Sequence, residues 1–434
     1  MRIGLVELIL ILLIASLTIG PSVALWVDRW LRRANHASAV AARRRAAQEA
    51  QRAAEREEVL QRFQKLSIVF VLAAVAALVW ALVLRPIAVT PAAYTAPEVS
   101  SGSTGSALEV RDTDVLSVSG YRDVSCIRAE DGWLYLAAQE DTRSGSAVLL
   151  RMHEDGSGLS SILTADGEIT GFDFDPDGNI WYTVVTESGG ALCRVQYDGW
   201  GAAAEQVVTQ IDGTALHCPT AVAVRADGSV YFTDAAAVSA AHGVESALRT
   251  ELLAHTATGC VYVYDPSTRT VRSVLSGIAG ASGLALDQTS GTLYISDLGN
   301  RCVWAVDASA RERIAGGKGC VAFASALSGY PGSLALDDEG ELSVSCRWER
   351  SGWLESHTEG TFLRGVALRL SQSMQEKLFS LPAGACCAEV FQPDGQRAFS
   401  LTGKQSGSVT ALCPTGNRVY LSVAREKNLY FVRV

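Results

Sequence analysis

Three things are missing from this sequence, and each absence excludes a class of function. After residue 85 there is no basic patch with interleaved aromatics, so the body has no surface suited to nucleic acid. There is no Gly-x-Ser-x-Gly elbow and no Ser, His and Asp set at a confirming spacing, which excludes the usual nucleophile architecture of a serine hydrolase. Leu66–Leu84 carries no charged residue at all, which is not the pattern of a helix on a soluble surface. Charge is also unevenly spread. Residues 1–85 hold 12 Lys/Arg against 6 Asp/Glu, a net of +6 in a chain whose total is −9, so residues 86–434 carry −15. A basic head and an acidic body describe a membrane protein.

Two stretches are candidates for crossing a bilayer. Ile3–Trp26 is nearly continuous apolar sequence, and Leu66–Leu84 is a cleaner run of sufficient length. Between them, Val27–Lys65 favours helix and holds ten Lys/Arg against five Asp/Glu. Short basic loops stay in the cytoplasm, so the sequence predicts a transmembrane helical hairpin with the chain after Arg85 on the extracytoplasmic side. Ser22-Val23-Ala24 resembles a signal-peptidase site. Cleavage there would leave the basic segment to be translocated, so a retained helix is the preferred reading. The expected domains are a first transmembrane helix (1–26), a basic cytoplasmic helical segment (27–65), a second transmembrane helix (66–85), a Pro/Ser/Gly-rich linker (86–108) and a body (109–434).

The body is a repeat. A strand, a turn ending in glycine and a second strand recur six times: SCIRAEDGWLYLA (125–137), FDFDPDGNIWYTV (172–184), VAVRADGSVYFTD (222–234), LALDQTSGTLYISD (284–297), LALDDEGELSVSC (334–346) and TALCPTGNRVYLSV (410–423). Asp-Gly and its relatives supply the positive φ of tight hairpins. Two strands cannot bury both their faces, and four-stranded blades closed in a ring meet that need while hiding the sheet edges. The predicted fold is therefore all-β, a six-bladed β-propeller behind the N-terminal transmembrane hairpin. A third strand opens on cysteine in four blades, at Cys193, Cys260, Cys302 and Cys387. Residues at one register of successive blades stand too far apart to pair easily, so these are read as small buried hydrophobes. Cys126, Cys218, Cys320, Cys346, Cys386 and Cys413 are left open as disulfide partners.

Over about residues 115–434 the chain resembles the strictosidine synthase-like branch of six-bladed propellers, whose wider relatives are the gluconolactonase (senescence marker) family, the paraoxonases and NHL-repeat proteins. The resemblance rests on the order of PTAVAVRADGSVYFTD (219–234), TGCVYVYDPSTRTVRSVLSGI (258–278), YPGSLALDDEGELSVS (330–345) and the tail DGQRAFSL…SVTALCPTGNRVYLSV. YISDLGNRCVWAVD (294–307) looks like an NHL blade. The helical insertions Ala235–Thr258 and Arg347–Pro382 match places where the family caps its pocket.

In this architecture the site lies on the axis, where each innermost strand enters. Aligning the repeats puts Asp123, Thr170, Thr220, Ser282, Gly332 and Ser408 there as the expected pocket residues, with His217 close by. The resemblance to lactonases implies a calcium ion held by a Glu, two Asn and an Asp. This chain offers Asp123, Thr220, Ser282 and Gly332 at those positions, a poor cage for a cation that wants six to eight oxygens, so no cofactor is expected and calcium is disfavoured. The resemblance to strictosidine synthase implies a proton-shuttling glutamate near the last blade's entry, but Gly407–Thr410 holds no carboxylate. Asp123 is the candidate catalytic base, or else a hydrogen-bonded structural acid. His242 and His255 in the first cap are further candidates, by analogy with the paraoxonases. The sequence thus predicts a membrane-anchored extracytoplasmic propeller that binds a small molecule or protein partner, with a lactone- or aryl-ester-hydrolysing enzyme as the alternative.

Overall fold

A computed structural model describes residues 39–95, 106–111, 114–142, 146–196, 204–379, 386–403 and 409–434. The first predicted transmembrane helix and Ser408 lie outside the described residues. So do parts of the predicted linker.

The chain divides into two compact units. The first is helical. Helix α1 spans Ala39–Val79, and a five-residue π turn, Trp80–Leu84, continues it. Its Arg56–Leu84 portion is long and apolar enough to cross a membrane, and Phe63, Leu66, Ile68, Val69 and Trp80 are exposed along it.

The second unit is a six-bladed β-propeller. Its innermost strands are Tyr121–Glu130, Glu168–Phe174, Pro219–Val224, Ala281–Asp287, Gly329–Leu336 and Val409–Thr415. Each leads through an antiparallel hairpin into the rest of its blade. The glycine ending each predicted turn has positive φ, +85° at Gly228 for example, where an L side chain would be strained. The ring closes on itself: Val115–Ser117 pairs with Asn428–Arg433 as the outermost strand of the sixth blade, joining the two ends of the domain.

The blades are held together by apolar faces. Cys126, Ala137 and Leu149 of the first blade meet Phe172, Ile180 and Tyr182 of the second. Trp181 and Leu192 of the second meet Val222, Phe232 and Tyr264 of the third. Each such large side chain contributes about 1.5–3 kcal/mol on burial. Near the axis the strands come too close for side chains. A Cβ on Gly283 of the fourth blade would lie 2.3 Å from the carbonyl oxygen of Gly332 in the fifth. Cys193 and Cys302 are buried and Cys260 is half-buried, consistent with their reading as small apolar residues, while the side chain of Cys387 lies outside the described residues. The eight described cysteines, Cys126, Cys218, Cys320, Cys346 and Cys413 among them, are free.

The predicted insertions form helices α2 (Val244–Ala254), α3 (Gly352–Ser356), α4 (Thr361–Ala367) and α5 (Gln372–Phe379). This second unit begins at Ala88. Ser106–Val110 adds a parallel strand to the edge of the fifth blade. Before it, residues 88–95 form a strap on the caps. The Ala92 amide donates to the Ala254 carbonyl at 2.8 Å, and the Tyr94 ring stacks on His255 with centroids 3.6 Å apart. Fully buried Arg364 donates to the carbonyls of Ala92, Thr358 (2.9 Å) and Leu253 (3.1 Å), tying the strap to α2 and α4. Proline-rich composition had suggested a free linker, but these carbonyls need partners when buried, and Arg364 supplies them.

Candidate functional site

The six innermost strands start at equivalent registers, so their first side chains face one cavity on the axis. Its volume is about 620 Å³, in the range of small-molecule sites. Asp123, Thr170, Thr220 and Ser282 line it. In the fifth blade the lining residue is Ser333 rather than the expected Gly332, whose carbonyl oxygen instead accepts from the Ser296 hydroxyl at 2.6 Å. In the sixth blade Thr410 lines the wall.

The hydroxyls of this wall are already engaged. Ser125 donates to the Ile169 carbonyl (2.5 Å), Thr220 to that of Ala281 (2.5 Å), Ser282 to that of Pro331 (2.9 Å) and Thr410 to that of Val124 (2.6 Å). Each bond crosses from one blade to the next, at the seams between blades one and two, three and four, four and five, and six and one. Thr170 stays within its own blade, bonding the Thr183 hydroxyl at 2.8 Å. A hydroxyl has one proton, so these residues turn only neutral lone pairs toward the axis.

Asp123 is committed as well. It sits in the left-handed region at φ +52°, in the bulge where the first blade's inner strand loses register with its neighbour. One oxygen accepts the Arg425 amide at 2.7 Å, and the other meets the Arg122 guanidinium at 2.5 Å. Both oxygens of this acid are thus engaged. His217 is not part of the cavity wall. Its ring lies 3.7 Å from the Asp234 carboxylate, which holds the imidazole pKa up, and Asp234 also accepts the amides of His217 and Cys218. His242 is exposed, and His255 is buried beneath the strap with its pKa pushed down to about 4 by that burial.

Asp123 apart, the charged residues of the cavity were not anticipated from the sequence. Glu245, in the first turn of α2, accepts from Arg249 (3.3 Å), Arg347 (3.2 Å) and the Trp348 indole (2.9 Å), and so fastens the cap to the fifth blade. Deeper, Arg128 lies 3.7 Å from Asp173, which also accepts the Val224 amide at 2.7 Å. Glu168 lines the cavity two residues before Thr170 and, among the described residues, accepts only from the Val244 amide, at 3.3 Å. Burial pushes the Glu168 carboxyl up; the Val244 amide and Arg347 oppose the rise, while Glu245 and Asp123 add to it. The signal in the sequence is an acid directly before the apolar start of an inner strand, two residues ahead of the register that Thr170 shares with the other blades.

These residues do not fit a calcium ion. Among the described residues no group of three or more His, Cys, Asp or Glu converges as a metal site. The axial oxygens are neutral hydroxyls engaged between blades, and Asp123 and Glu245 face guanidinium groups, whereas calcium needs several convergent and mostly anionic oxygens.

Comparison with known proteins agrees with this architecture. The family model described as "SMP-30/Gluconolactonase/LRE-like region" matches residues 184–374. Strictosidine synthase-like 6 of Arabidopsis thaliana is 22% identical over 302 residues, covering 70% of this chain and 72% of that protein. Among solved structures, a gluconolactonase from Xanthomonas campestris superposes with a TM-score of 0.51 at 17% identity, over 81% of this chain and 98% of its own. Regucalcin from Agrobacterium tumefaciens, described as a calcium-binding protein, superposes at 0.50 with 11% identity, over 75% and 95%. At these identities the structural likenesses establish the fold.

Proposed function

This chain belongs to the superfamily of six-bladed propellers that includes gluconolactonases and strictosidine synthase-like proteins, and from that premise we propose that it is a membrane-anchored binding propeller. In this reading Arg56–Leu84 crosses the bilayer, the propeller lies on the extracytoplasmic side, and the axial cavity takes a small polar ligand without calcium. The membrane assignment draws on the apolar helix and on the basic segment before it. The single observation that carries the rest is the wall of the cavity. Where a lactonase of this superfamily needs a cation cage, the hydroxyls of Ser125, Thr220, Ser282 and Thr410 bridge neighbouring blades. The wall therefore supports the scaffold and offers a ligand neutral acceptors within a charged mouth.

One observation favours a second reading, a calcium-independent hydrolase of lactones or aryl esters: the Glu168 carboxyl lines the cavity and, among the described residues, accepts a hydrogen bond from a backbone amide and from no guanidinium. A single experiment separates the two. The full chain in detergent is assayed for lactone and aryl-ester hydrolysis, with calcium and with chelator. The binding reading predicts no turnover in either condition. Turnover without calcium that is lost in Glu168→Gln supports the hydrolase, and turnover that requires calcium refutes both.

A further inference from the structure

We propose that the strap at residues 88–95 seats helix α2 against the axial cavity, so that detaching the strap opens the cavity wall. The two ends of α2 meet different partners. Its first turn belongs to the cavity, where Val244, Glu245 and Arg249 form part of the lining. The N-cap, Gly243, has no side chain to close the helix, and the Val244 amide turns instead to the Glu168 carboxyl of the second blade, at 3.3 Å. Glu245 receives Arg347 (3.2 Å) and the Trp348 indole (2.9 Å) of the fifth blade.

The last turn of α2 belongs to the strap. The Ala254 carbonyl accepts the Ala92 amide, and Arg364 donates to the Leu253 carbonyl while also holding that of Ala92. His255, which ends the helix, is left-handed at φ +52°, a conformation that strains a residue carrying a Cβ. The Tyr94 ring covers it, stacked at 3.6 Å and 7°. Val89 of the strap packs on the apolar cluster that contains Leu248 and Leu252 of α2. Between these two ends lie 11 residues, a helix about 16 Å long. A helix this short moves as one body. Releasing the strap uncovers the last turn and lets His255 relax; the first turn then withdraws from Glu168, Arg347 and Trp348, which all line the cavity. In the chain the strap follows the apolar helix after only residues 85–87, so this device sits beside the anchor.

Cys346 reports the opening, because it lines the cavity, is 7% exposed and carries a free thiol. The full chain in detergent is treated with methyl methanethiosulfonate, a small uncharged thiol reagent, and peptide mass spectrometry follows each cysteine. Cys193, buried in the apolar seam of blades one and two, is the internal standard. Tyr94→Ala should speed labelling of Cys346 about tenfold, the effect of 1.4 kcal/mol on a local opening equilibrium, and leave Cys193 unchanged. Tyr94→Phe, which keeps a ring on His255, should label as the wild type does. Equal Cys346 rates in the wild type and Tyr94→Ala would overturn the proposal, as would a Tyr94→Phe rate matching that of Tyr94→Ala. A rise shared equally by Cys193 would also overturn it, since the strap would then support the whole propeller and not this wall. The readout involves no ligand and no turnover, so its failure leaves the binding reading standing.

Discussion

Replacing Thr220 by valine tests whether the axial hydroxyls hold the blades together. Valine keeps the shape and removes only the hydroxyl. Thr220 is 7% exposed and its partner Thr233 is fully buried. The Thr220 hydroxyl donates to the Ala281 carbonyl at 2.5 Å and lies 2.7 Å from the Thr233 hydroxyl. The substitution therefore removes the donor to the buried Ala281 carbonyl and the acceptor for the Thr233 hydroxyl proton, while the Thr233 oxygen keeps the Ala221 amide at 2.9 Å. Each orphaned group costs about 1–3 kcal/mol. Water entering from the cavity can reach part of this site, which sets the total near 2 kcal/mol rather than at the upper sum. For a domain of this size that corresponds to a fall in Tm of roughly 3 °C. Fluorescence-detected melting of the full chain in detergent reads it directly. Thr220→Ser should recover most of the loss, and Thr410→Val, on the opposite seam, should add to it independently. A change within about 0.5 kcal/mol, the scale of a neutral surface substitution, would refute the reasoning.

The strap and the buried histidine give two further tests. Arg364→Met leaves the carbonyls of Ala92, Thr358 and Leu253 without their shared donor. It should cost about 3–5 kcal/mol and open residues 88–95 to limited proteolysis; unchanged cleavage would show that the strap is held by other contacts. His255 is buried as the neutral imidazole, with a pKa of about 4 against 6.5 unfolded. Because the unfolded chain binds the proton more readily, the stability gained by keeping this group neutral is complete above pH 6.5 and is lost as pH falls toward 4, up to roughly 3 kcal/mol. His255→Phe, which keeps a ring against Tyr94, should flatten that part of the stability profile measured by chemical denaturation; an unchanged slope would refute the assignment.

The six blades could be read from the sequence because each one states its own turn. Gly132, Gly178, Gly228, Gly291, Gly340 and Gly416 all take positive φ where the repeat predicts a hairpin. The same alignment placed Asp123, Thr170, Thr220 and Ser282 around one cavity, since equivalent registers of a ring face a common axis. The alignment failed where the chain departs from the repeat. Gly332 yields its place to Ser333 beside a break in the fifth blade's register, and such breaks have no signature in the spacing of apolar residues. Glu245 and Arg249 reach the cavity on a cap helix inserted between strands, so no blade register could have located them. The strap was hidden for another reason. Pro91 and its neighbours read as a breaker-rich linker, and the residues that hold them, Arg364 on the Ala92 carbonyl and His255 against Tyr94, are distant in sequence.

The central claim is that the oxygens around the axis join blade to blade and do not hold a cation. Melting the full chain in excess calcium and again in excess chelator tests it most directly. A site filled to a hundred times its Kd would add about 2.7 kcal/mol of stability, a shift of several degrees. The account predicts coincident melting curves; a calcium-dependent rise in Tm that chelator reverses would contradict it.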